Sequence, residues 1–525
     1  MATVAEGANK TPVPAATTTP SSVAAGIGAL AFTDGYPTAE TATKLRDHLD
    51  YLHGVETFMN TVQGVSTYAI RQGFLDAGAM DGDVVIWSEL MDSRTLALTA
   101  NADTVYFWTF LDLSQGPLVV ETPADTLGLV DDMWFRWISD FGLPGADRGQ
   151  GGTYLLVPPG HDGPVPEGGH YVRHSRTDHV TLVGRAFINE NPGMNPAPTV
   201  ARIKEQLKIY PYAPGGLGSS IGAYLNGKGP LGRPAAPASP RFVEGTGLAI
   251  NTVAPNDFGH YEMLDALVQM EPPEALDAEL AGQFAAIGII KGQKFAPDAR
   301  LRAILEDAVA VGNASARTLA MGAHPDDGWR YYDGDTAWWN MLFAGGYDFT
   351  NPPPMITEHG VEPSPNTGDR KLHSRTAMLY FATCITPAMC MRLTGVGSQY
   401  VAANVDAAGN RLDGSQTYRL TLPPDIPAAR FWSLTVYDNQ NRSMLQTPQR
   451  YPRAGSQSYP SPAAEAEPDG STVVYFSPTR PDHVAPGNWI QTDPEKGWCT
   501  LLRLYSPLPT FFDKTWRPSE IELVS

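Results

Sequence analysis

The stretch Asn101–Leu113, NADTVYFWTFLDL, contains the clearest fold signal in the chain. Its centre, Val105–Leu111, is almost continuously apolar and rich in aromatic residues, which indicates a strand buried on both faces. Asn101, Asp103 and Thr104 come directly before this strand, so polar groups lie at the edge of a core. Buried polar groups need partners in the protein, in water or in a ligand.

Two interpretations of this polar segment stay open. The side chains of Asn101 and Asp103 can hydrogen-bond to their own backbone in a turn. Alternatively, they belong with Tyr106 to a site for a ligand. Spacing alone favours the turn.

A second polar group within an apolar segment is Asp131–Asp140, DDMWFRWISD. Asp132, Arg136 and Asp140 share one side of a strand, by its period of two, and also one side of a helix, by steps of four. Burial near aromatic rings such as Trp134 raises the pKa of a carboxyl group, whereas an arginine lowers it, and acid–base sites use such opposition. A purely structural ion-pair ladder is the alternative.

A glycine-rich loop, Gly142–Gly152, follows this segment and leads into a predicted strand. A dinucleotide-binding loop has to open a helix, so the loop is not of that kind. Gly218–Gly222 fits G-x-S-x-G but follows loop sequence instead of a strand, which speaks against a serine nucleophile. The chain therefore shows no motif for an organic cofactor, and we expect Arg148 to bind an anionic group of a ligand.

Composition excludes several classes of protein. The 525 residues include 51 Gly and 46 Pro, and only 18% are charged, against about 25% in average usage. Long helical arrays have the opposite composition. The net charge of −19 leaves no basic surface for nucleic acid, and three Cys exclude a disulfide framework. No window is long and apolar enough to predict a membrane span.

Strand and helix patterns predict two sheet-rich halves, mainly β, with a helical insertion between them. We expect a flexible Ala/Thr/Pro-rich tail at 1–35, a β-sandwich domain with a leading helix at 36–210, a Pro/Gly-rich loop and helical connector at 211–325, and a second β-sandwich domain at 326–525. Regular short strands separated by turns are typical of sandwiches and barrels.

The second half contains strong strand patterns of its own. Phe431–Asp438 and Leu501–Tyr505 are predicted strands, and Thr376–Cys384 is interpreted as another. Arg503 lies in the middle of a core strand. We expect it to pair with a carboxylate, since buried charges are normally paired.

The sequence resembles two bacterial families. Thr99–Leu113 and Asp131–Gly163 resemble the domain-of-unknown-function 1254 family, and Phe431–Tyr451, with the later runs DGSTVVYFSP, NWI and LLRLYSP, resembles the 1214 family. The resemblance covers roughly residues 50 to 520. It implies two jelly-roll-like β-sandwich domains with a helical insertion, and it leaves the activity undefined.

The polar segments favour a hydrolase that acts on a small anionic or amphiphilic molecule in the N-terminal domain. One aspartate would activate water and a second would donate a proton, while an arginine holds the developing oxyanion. The predicted catalytic residues are Asp103, Asp132, Asp140 and Arg136. The predicted substrate-binding residues are Asn101, Tyr106, Trp134 and Arg148. Carboxylates suit hard divalent cations, but no spacing demands a metal.

Two alternatives to the hydrolase stay open. One is a jelly-roll protein that binds a lipid, saccharide or hydrophobic metabolite, with Trp137 and Trp432 among the pocket aromatics. The other is a structural or assembly protein. A small-molecule ligand and a homo-oligomer are the partners we consider. A cytoplasmic location is favoured, with a secreted or periplasmic one as the alternative, because Ser22–Phe32 forms only a weak signal-peptide core.

Overall fold

The computed structural model describes residues 11–166, 168–213, 225–226, 239–322, 329–343, 346–357, 360–362, 365 and 367–524. Helices and strands take similar shares of these residues. Most of the Pro/Gly-rich loop, including Gly218–Gly222, lies outside the described part.

The helices of the described part run from a long first helix to short turns near the C-terminus. They are α1 (Ala39–Asp76), α2 (Ala197–Gln206), α3 (Gly259–Met270), α4 (Ala278–Ala286), α5 (Ala299–Met321), α6 (Leu372–Phe381), α7 (Pro387–Cys390) and α8 (Pro509–Phe512). Short 3-10 segments lie at Ala15–Thr17, Pro192–Met194, Pro273–Ala275, Met341–Phe343 and Pro486–Asn488. No helix within the described ranges is both long and apolar enough to cross a membrane.

The strands fall into a set before the helical connector and a set after it. The first set is β1 (Ser22–Ala25), β2 (Gly28–Thr33), β3 (Tyr36–Pro37), β4 (Val84–Ile86), β5 (Thr95–Leu96), β6 (Val105–Asp112), β7 (Leu118–Glu121), β8 (Thr126–Asp132), β9 (Trp137–Gly142), β10 (Thr153–Val157), β11 (Tyr171–His174), β12 (His179–Ala186), β13 (Lys208–Pro211), β14 (Phe242–Glu244) and β15 (Ile250–Asn251). The second set is β16 (Met355–Thr357), β17 (Gly360–Glu362), β18 (Ser398–Ala403), β19 (Tyr418–Leu422), β20 (Ala428–Asp438), β21 (Arg453–Gly455), β22 (Thr472–Ser477), β23 (Trp489–Gln491), β24 (Trp498–Pro507) and β25 (Glu522–Leu523).

The N-terminal half is built around β6, the strand that the sequence marks most clearly. It lies inside a six-stranded sheet of order β14-β4-β6-β12-β8-β9, and a four-stranded sheet, β11-β10-β7-β13, accompanies it. The antiparallel register aligns Tyr106 with Arg185, and Leu129 with both Val183 and Asp140. Since directly paired residues point to the same side, one face of this sheet carries both charged and aromatic groups.

The C-terminal half contains two four-stranded sheets, β18-β24-β20-β21 and β23-β22-β19-β25. Trp432, Leu434 and Val436 of β20 belong to the core of this half. The alternate residue Ser433 points away from that core and pairs in register with Arg503 on β24. The predicted arrangement of sheet-rich halves with a helical insertion is confirmed.

Helices cover the N-terminal half and link it to the C-terminal one. The 38-residue α1 packs against α5, α3 and α6. A close approach of α1 and α5 depends on Gly312, because a Cβ atom there would lie 2.8 Å from the ring of Phe58. The hydroxyl of Tyr261 on α3 donates to the carbonyl of Gly54 at 3.0 Å. The helices therefore form one packed layer and not a loose connector.

Three local features differ from the sequence interpretation. Thr376–Cys384 is mostly helical, within α6, and residues 374–381 are all buried, so their apolar run could not distinguish a buried helix from a buried strand. Residues 22–37, largely within the predicted tail, form the three short strands β1–β3. Met133–Arg136 is a turn between β8 and β9, although the sequence favoured a continuous strand or helix.

Candidate functional site

The polar residues before β6 form a tightly bonded turn. Asn101 is fully buried. Its side-chain amide oxygen accepts hydrogen bonds from the backbone N–H groups of Asp103, at 2.9 Å, and Thr104, at 3.1 Å. Its side-chain amide nitrogen donates a hydrogen bond to the hydroxyl of Tyr106 at 2.8 Å. Asn101 therefore stabilises the backbone of this turn, as the turn interpretation expected.

Asp103 joins the two halves of the molecule. Its carboxylate pairs with the Nε of Arg453 at 2.8 Å, and neither side chain is exposed to solvent. Ser433 donates to it at 2.6 Å and Tyr505 at 3.1 Å. All three partners come from the C-terminal half, so Asp103 is part of a buried junction between the halves.

Asp132 holds the turn between β8 and β9. One carboxylate oxygen accepts from the backbone N–H groups of Trp134, at 2.8 Å, and Arg136, at 3.1 Å, and the other pairs with the Nε of Arg136 at 2.5 Å. Phe135 in this turn has a positive φ of 49°. The side chain of Asp132 thus closes a tight turn that the alternation of residues did not reveal.

Asp140 lies on β9, beyond the turn. The side chain of Thr386 and the backbone of Ala388, at the start of α7, hydrogen-bond to its carboxyl group. Burial nevertheless dominates and raises the pKa of Asp140 to about 7. Its carboxyl therefore changes charge close to neutral pH.

The eight predicted site residues do not meet in one cavity. Arg148 is exposed, with a φ of 50°, and Trp134 is buried with its ring stacked on Phe284 at 6.1 Å. In the described part of the chain, three cavities are lined by predicted site residues. Tyr106 lines one, Asp140 a second, and Asp132, Trp134 and Arg136 a third, while Asn101 and Asp103 are enclosed in the bonded turn and junction. The structure does not bring the predicted residues together around one cavity of the N-terminal domain, because the turn after Asp132 separates residues that a continuous strand would align.

An interior cavity lies where the two halves face each other. Its volume is about 120 Å³. Residues of β6, β8 and β12 form one wall, and residues of β18 and β24, with the segment around α6 and α7, form the other. Most of its lining is apolar, and the main polar or charged groups on the wall are Tyr106, Arg185, Asn340, Tyr400 and Arg503.

Two arginines in this cavity share one tyrosine. Arg185 donates to the hydroxyl of Tyr400 at 3.3 Å, and the guanidinium of Arg503 lies 5.0 Å from the centre of the Tyr400 ring. Arg503 also donates to the hydroxyl of Tyr437 at 2.6 Å and to the carbonyl of Thr99. Within the described residues, neither guanidinium forms an ion pair with a carboxylate. The predicted acidic partner of Arg503 is therefore absent from that part of the chain.

The two cations change the titration of the tyrosines around them. Burial favours the neutral phenol of Tyr400, but the charges of Arg185 and Arg503 outweigh burial and lower the pKa of Tyr400. Burial raises the pKa of Tyr437 to about 12 despite the nearby Arg503. Since arginine stays protonated in proteins, the cavity has a positive potential at neutral pH.

One buried carboxyl, that of Asp131, is in contact with Cys384 on the wall of this cavity. Burial, followed by the charges of Asp132 and Asp140, raises its pKa well above the ordinary value. The thiol of Cys384 contacts the carboxyl, but neither oxygen of Asp131 makes a hydrogen bond of normal geometry in the described structure. Its surroundings therefore favour the neutral form of the carboxyl.

Backbone strain accompanies the cavity. Thr99 and Cys384, both on its wall, have positive φ values of 46° and 60°. Non-glycine residues in this conformation are uncommon, and they cluster at functional sites. At Thr99 the strained backbone presents its carbonyl to Arg503.

Sequence reasoning missed the residues that make this cavity distinctive. Arg185 drew no attention, although it interrupts the apolar strand Val180–Phe187 and its charge was a usable signal. Arg503 was placed in a strand but interpreted as half of an ion pair. Trp432 packs in the C-terminal core and does not line the cavity.

The described residues contain no group of three or more His, Cys, Asp or Glu arranged to hold a metal ion. The site is thus defined by two arginines and a tyrosine in an apolar cavity at the boundary of two sheet-rich halves.

Residues 82–211 match the family model for a protein of unknown function, DUF1254, and residues 397–509 match that for a second one, DUF1214. The two matches follow each other in the order that the sequence resemblance indicated.

Comparison with solved structures gives alignments over most of the chain. The VPA0106 protein of Vibrio parahaemolyticus has 17% identity and a TM-score of 0.49, with 91% of this chain and 100% of that one covered. An uncharacterized protein from Burkholderia cenocepacia has 12% identity and a TM-score of 0.34, with 93% and 97% covered. No curated protein matches the sequence.

Proposed function

We propose that the protein binds a small organic acid with an apolar body in the interior cavity, with the acid group held by Arg185 and Arg503. The observation that supports this is a pair of arginines in a mostly apolar cavity that have no carboxylate partner among the described residues. An unpaired buried charge costs several kcal/mol, so such an arrangement persists where an anion compensates for it.

The size of the cavity limits the ligand. Its volume of about 120 Å³ is close to that of an engineered cavity of about 150 Å³ that holds benzene. Trp108, Leu129 and Val183 supply apolar wall for a flat or short aliphatic body. Benzoate is therefore a suitable probe, and benzamide is its neutral counterpart of nearly the same shape.

Calorimetric titration with both probes tests the proposal. We expect benzoate to bind the intact chain more tightly than benzamide, and Arg503→Met to weaken benzoate by roughly tenfold or more while benzamide changes little. Arg419→Met, at an exposed ion pair with Glu522, is the matched control and should change neither. Equal affinity for the two probes, or no effect of Arg503→Met, would overturn the proposal.

Hydrolysis of an ester or amide of such an acid is the second candidate function, and the titration of Asp140 supports it. Asp140 and Arg185 line a smaller cavity of about 60 Å³ that shares Leu129, Val183 and Met389 with the first. A carboxyl with a pKa of about 7 suits a general base.

An assay with phenyl benzoate separates hydrolysis from binding alone. If Asp140 acts as the base, Asp140→Asn removes the release of phenol, Asp140→Glu retains part of it, and benzoate affinity is unchanged. Release that is equal in wild type and Asp140→Asn would refute hydrolysis at Asp140 and leave the binding function.

A further inference from the structure

A second and larger cavity lies on the flank of the N-terminal half. The turn between β8 and β9 forms one side, α1 and α4 form another, and the residues around Tyr347 and α6 complete it. Its volume is about 770 Å³, within the range of about 300–1,000 Å³ that is usual for ligand pockets. We call it the flank cleft.

The flank cleft contains buried donors without acceptors. Arg136 uses its Nε for Asp132 and one Nη for the carbonyl of Ala275, at 2.7 Å, while its second Nη has no partner in the described structure. The Nε of Arg375 and the Nε1 of Trp134 also lack partners there. Unpaired buried donors are costly, so these three residues are expected to meet an acceptor.

Arg375 is the most unusual of these residues. Only 8% of it is exposed, and its Nη2 donates to the side-chain amide oxygen of Asn60 at 2.7 Å. Burial, followed by the charge of Arg370, lowers the pKa of Arg375 to about 10. An anion close to Arg375 and Arg370 would offset both the lost hydration of Arg375 and the repulsion between the two positive charges.

The acidic residues of the flank cleft are mostly engaged within the protein. Asp132 pairs with Arg136, Asp277 accepts from the backbone of Leu280 at 2.9 Å, and Asp348 accepts from the hydroxyl of Thr350 at 2.8 Å. Among the described residues of this cleft, the one buried side-chain acceptor without a partner is the Oε1 of Gln63, against four donors when the Nε1 of Trp137 is included. The groups that are free to bind a ligand are therefore mainly hydrogen-bond donors.

An aromatic surface completes the flank cleft. Trp137 and Tyr347 meet edge to face, with their ring centres 5.6 Å apart, and both rings are half-buried on the wall. Such rings pack against the flat or apolar body of a ligand.

We propose that the flank cleft binds a ligand bearing an oxyanion, a phosphate or a carboxylate, through Arg375 and Arg136, with the body of the ligand against Trp137 and Tyr347. This site is separate from the interior cavity and does not depend on its function.

Titrations of the full chain with phenyl phosphate and with phenylacetate distinguish the two oxyanions, and 2-phenylethanol is the neutral control. We expect one of the two anions to bind and to quench tryptophan fluorescence, since Trp134 and Trp137 line the cleft. Arg375→Gln should weaken that anion roughly tenfold, and Arg375→Lys less. Arg503→Met, in the interior cavity, should leave this binding unchanged.

A further variant keeps the test decisive if Arg375→Gln fails to fold. Arg370 is exposed, so Arg370→Gln is expected to fold and to weaken the anion roughly threefold, with a loss that shrinks in high salt. Arg202→Gln, at an ion pair with Asp125 outside the cleft, is the control. Binding that is absent for both anions, equal for 2-phenylethanol, or unaffected by both cleft variants would overturn the proposal.

Discussion

The boundary between the two halves holds two arginine sites that differ in one respect. Arg453 faces Asp103 in an ion pair without solvent exposure. Arg185 and Arg503 lie in the interior cavity with tyrosines and backbone carbonyls, and with no carboxylate in ion-pair contact within the described residues.

The difference separates a structural group from a candidate binding group. Ser433 and Tyr505 complete the hydrogen bonding of the Asp103 carboxylate, and this carboxylate neutralises Arg453, although the Nη2 of Arg453 has no hydrogen-bond partner in the described structure. Arg503 keeps its Nε without a partner in the described part of the molecule, beside a cavity. Buried charge alone therefore does not mark function; buried charge that lacks its counter-charge does.

The largest expected effect comes from breaking the structural pair. Arg453→Met leaves the carboxylate of Asp103 buried without its cation, and we expect the free energy of unfolding to fall by about 3–5 kcal/mol. Urea denaturation measures it. Adding Asp103→Leu to Arg453→Met should recover much of the loss, because an apolar pair replaces an unpaired charge; a double variant as unstable as the single one would contradict the interpretation.

Replacing the cavity arginine Arg503 by Met should lower the free energy of unfolding by less than Arg453→Met does. Arg503→Met removes hydrogen bonds to Tyr437 and Thr99 but leaves no carboxylate unpaired, so we expect a loss of about 1–2 kcal/mol in the same experiment. A cost equal to that of Arg453→Met would remove the distinction between the two sites.

Asp140 extends the comparison of paired and unpaired charges to a carboxyl group, because it forms no ion pair within the described residues. Its pKa in the folded protein, about 7, exceeds the ordinary 3.8, so the unfolded chain releases this proton first as the pH rises. Stability is therefore lost between about pH 4 and pH 7 and stays reduced above that range. Asp140→Asn removes this loss, and we expect it to unfold with about 1 kcal/mol more free energy than wild type at about pH 8, since the carboxyl is only partly shielded from water.

The control for this experiment is the same variant at low pH. At about pH 3 the carboxyl of Asp140 is mostly protonated in both states, so the two proteins should unfold at nearly the same urea concentration. A variant that is less stable than wild type at about pH 8 would show that the bonds of Thr386 and Ala388 to the charged form dominate.

The smallest effect is expected at a partly shielded pair. His179 lies 2.9 Å from Glu271, and although burial opposes the charged imidazole, Glu271 together with Asp112 and Asp81 raises its pKa above 6.5. This contribution to stability is complete below pH 6.5 and is lost as the pH rises through the raised pKa. His179→Gln should flatten that decline by less than about 1 kcal/mol, measured by melting temperature from about pH 6 to about pH 9. An unchanged slope would place the titration elsewhere.

Local patterns predicted much of the fold and little of the site. The run Val105–Leu111 lies in β6, and the predicted leading helix of the first domain is α1, because both patterns report burial along a single element. The turn at Asp132 escaped, since its hydrogen bonds depend on one side chain rather than on periodicity. The helix α6 was taken for a strand because every residue from 374 to 381 is buried and neither period is visible.

The sequence by itself determined the two sheet-rich halves, their order and the helical insertion, because hydrophobic periodicity and turn residues act over short stretches of chain. It also showed that Asn101 and Asp103 border a core. Only the tertiary structure decided which charges have partners: Arg453 lies 350 positions from Asp103 in the chain, and Tyr400 lies 215 positions from Arg185. Such contacts form when separate sheets pack face to face, and no local pattern records which residues will meet.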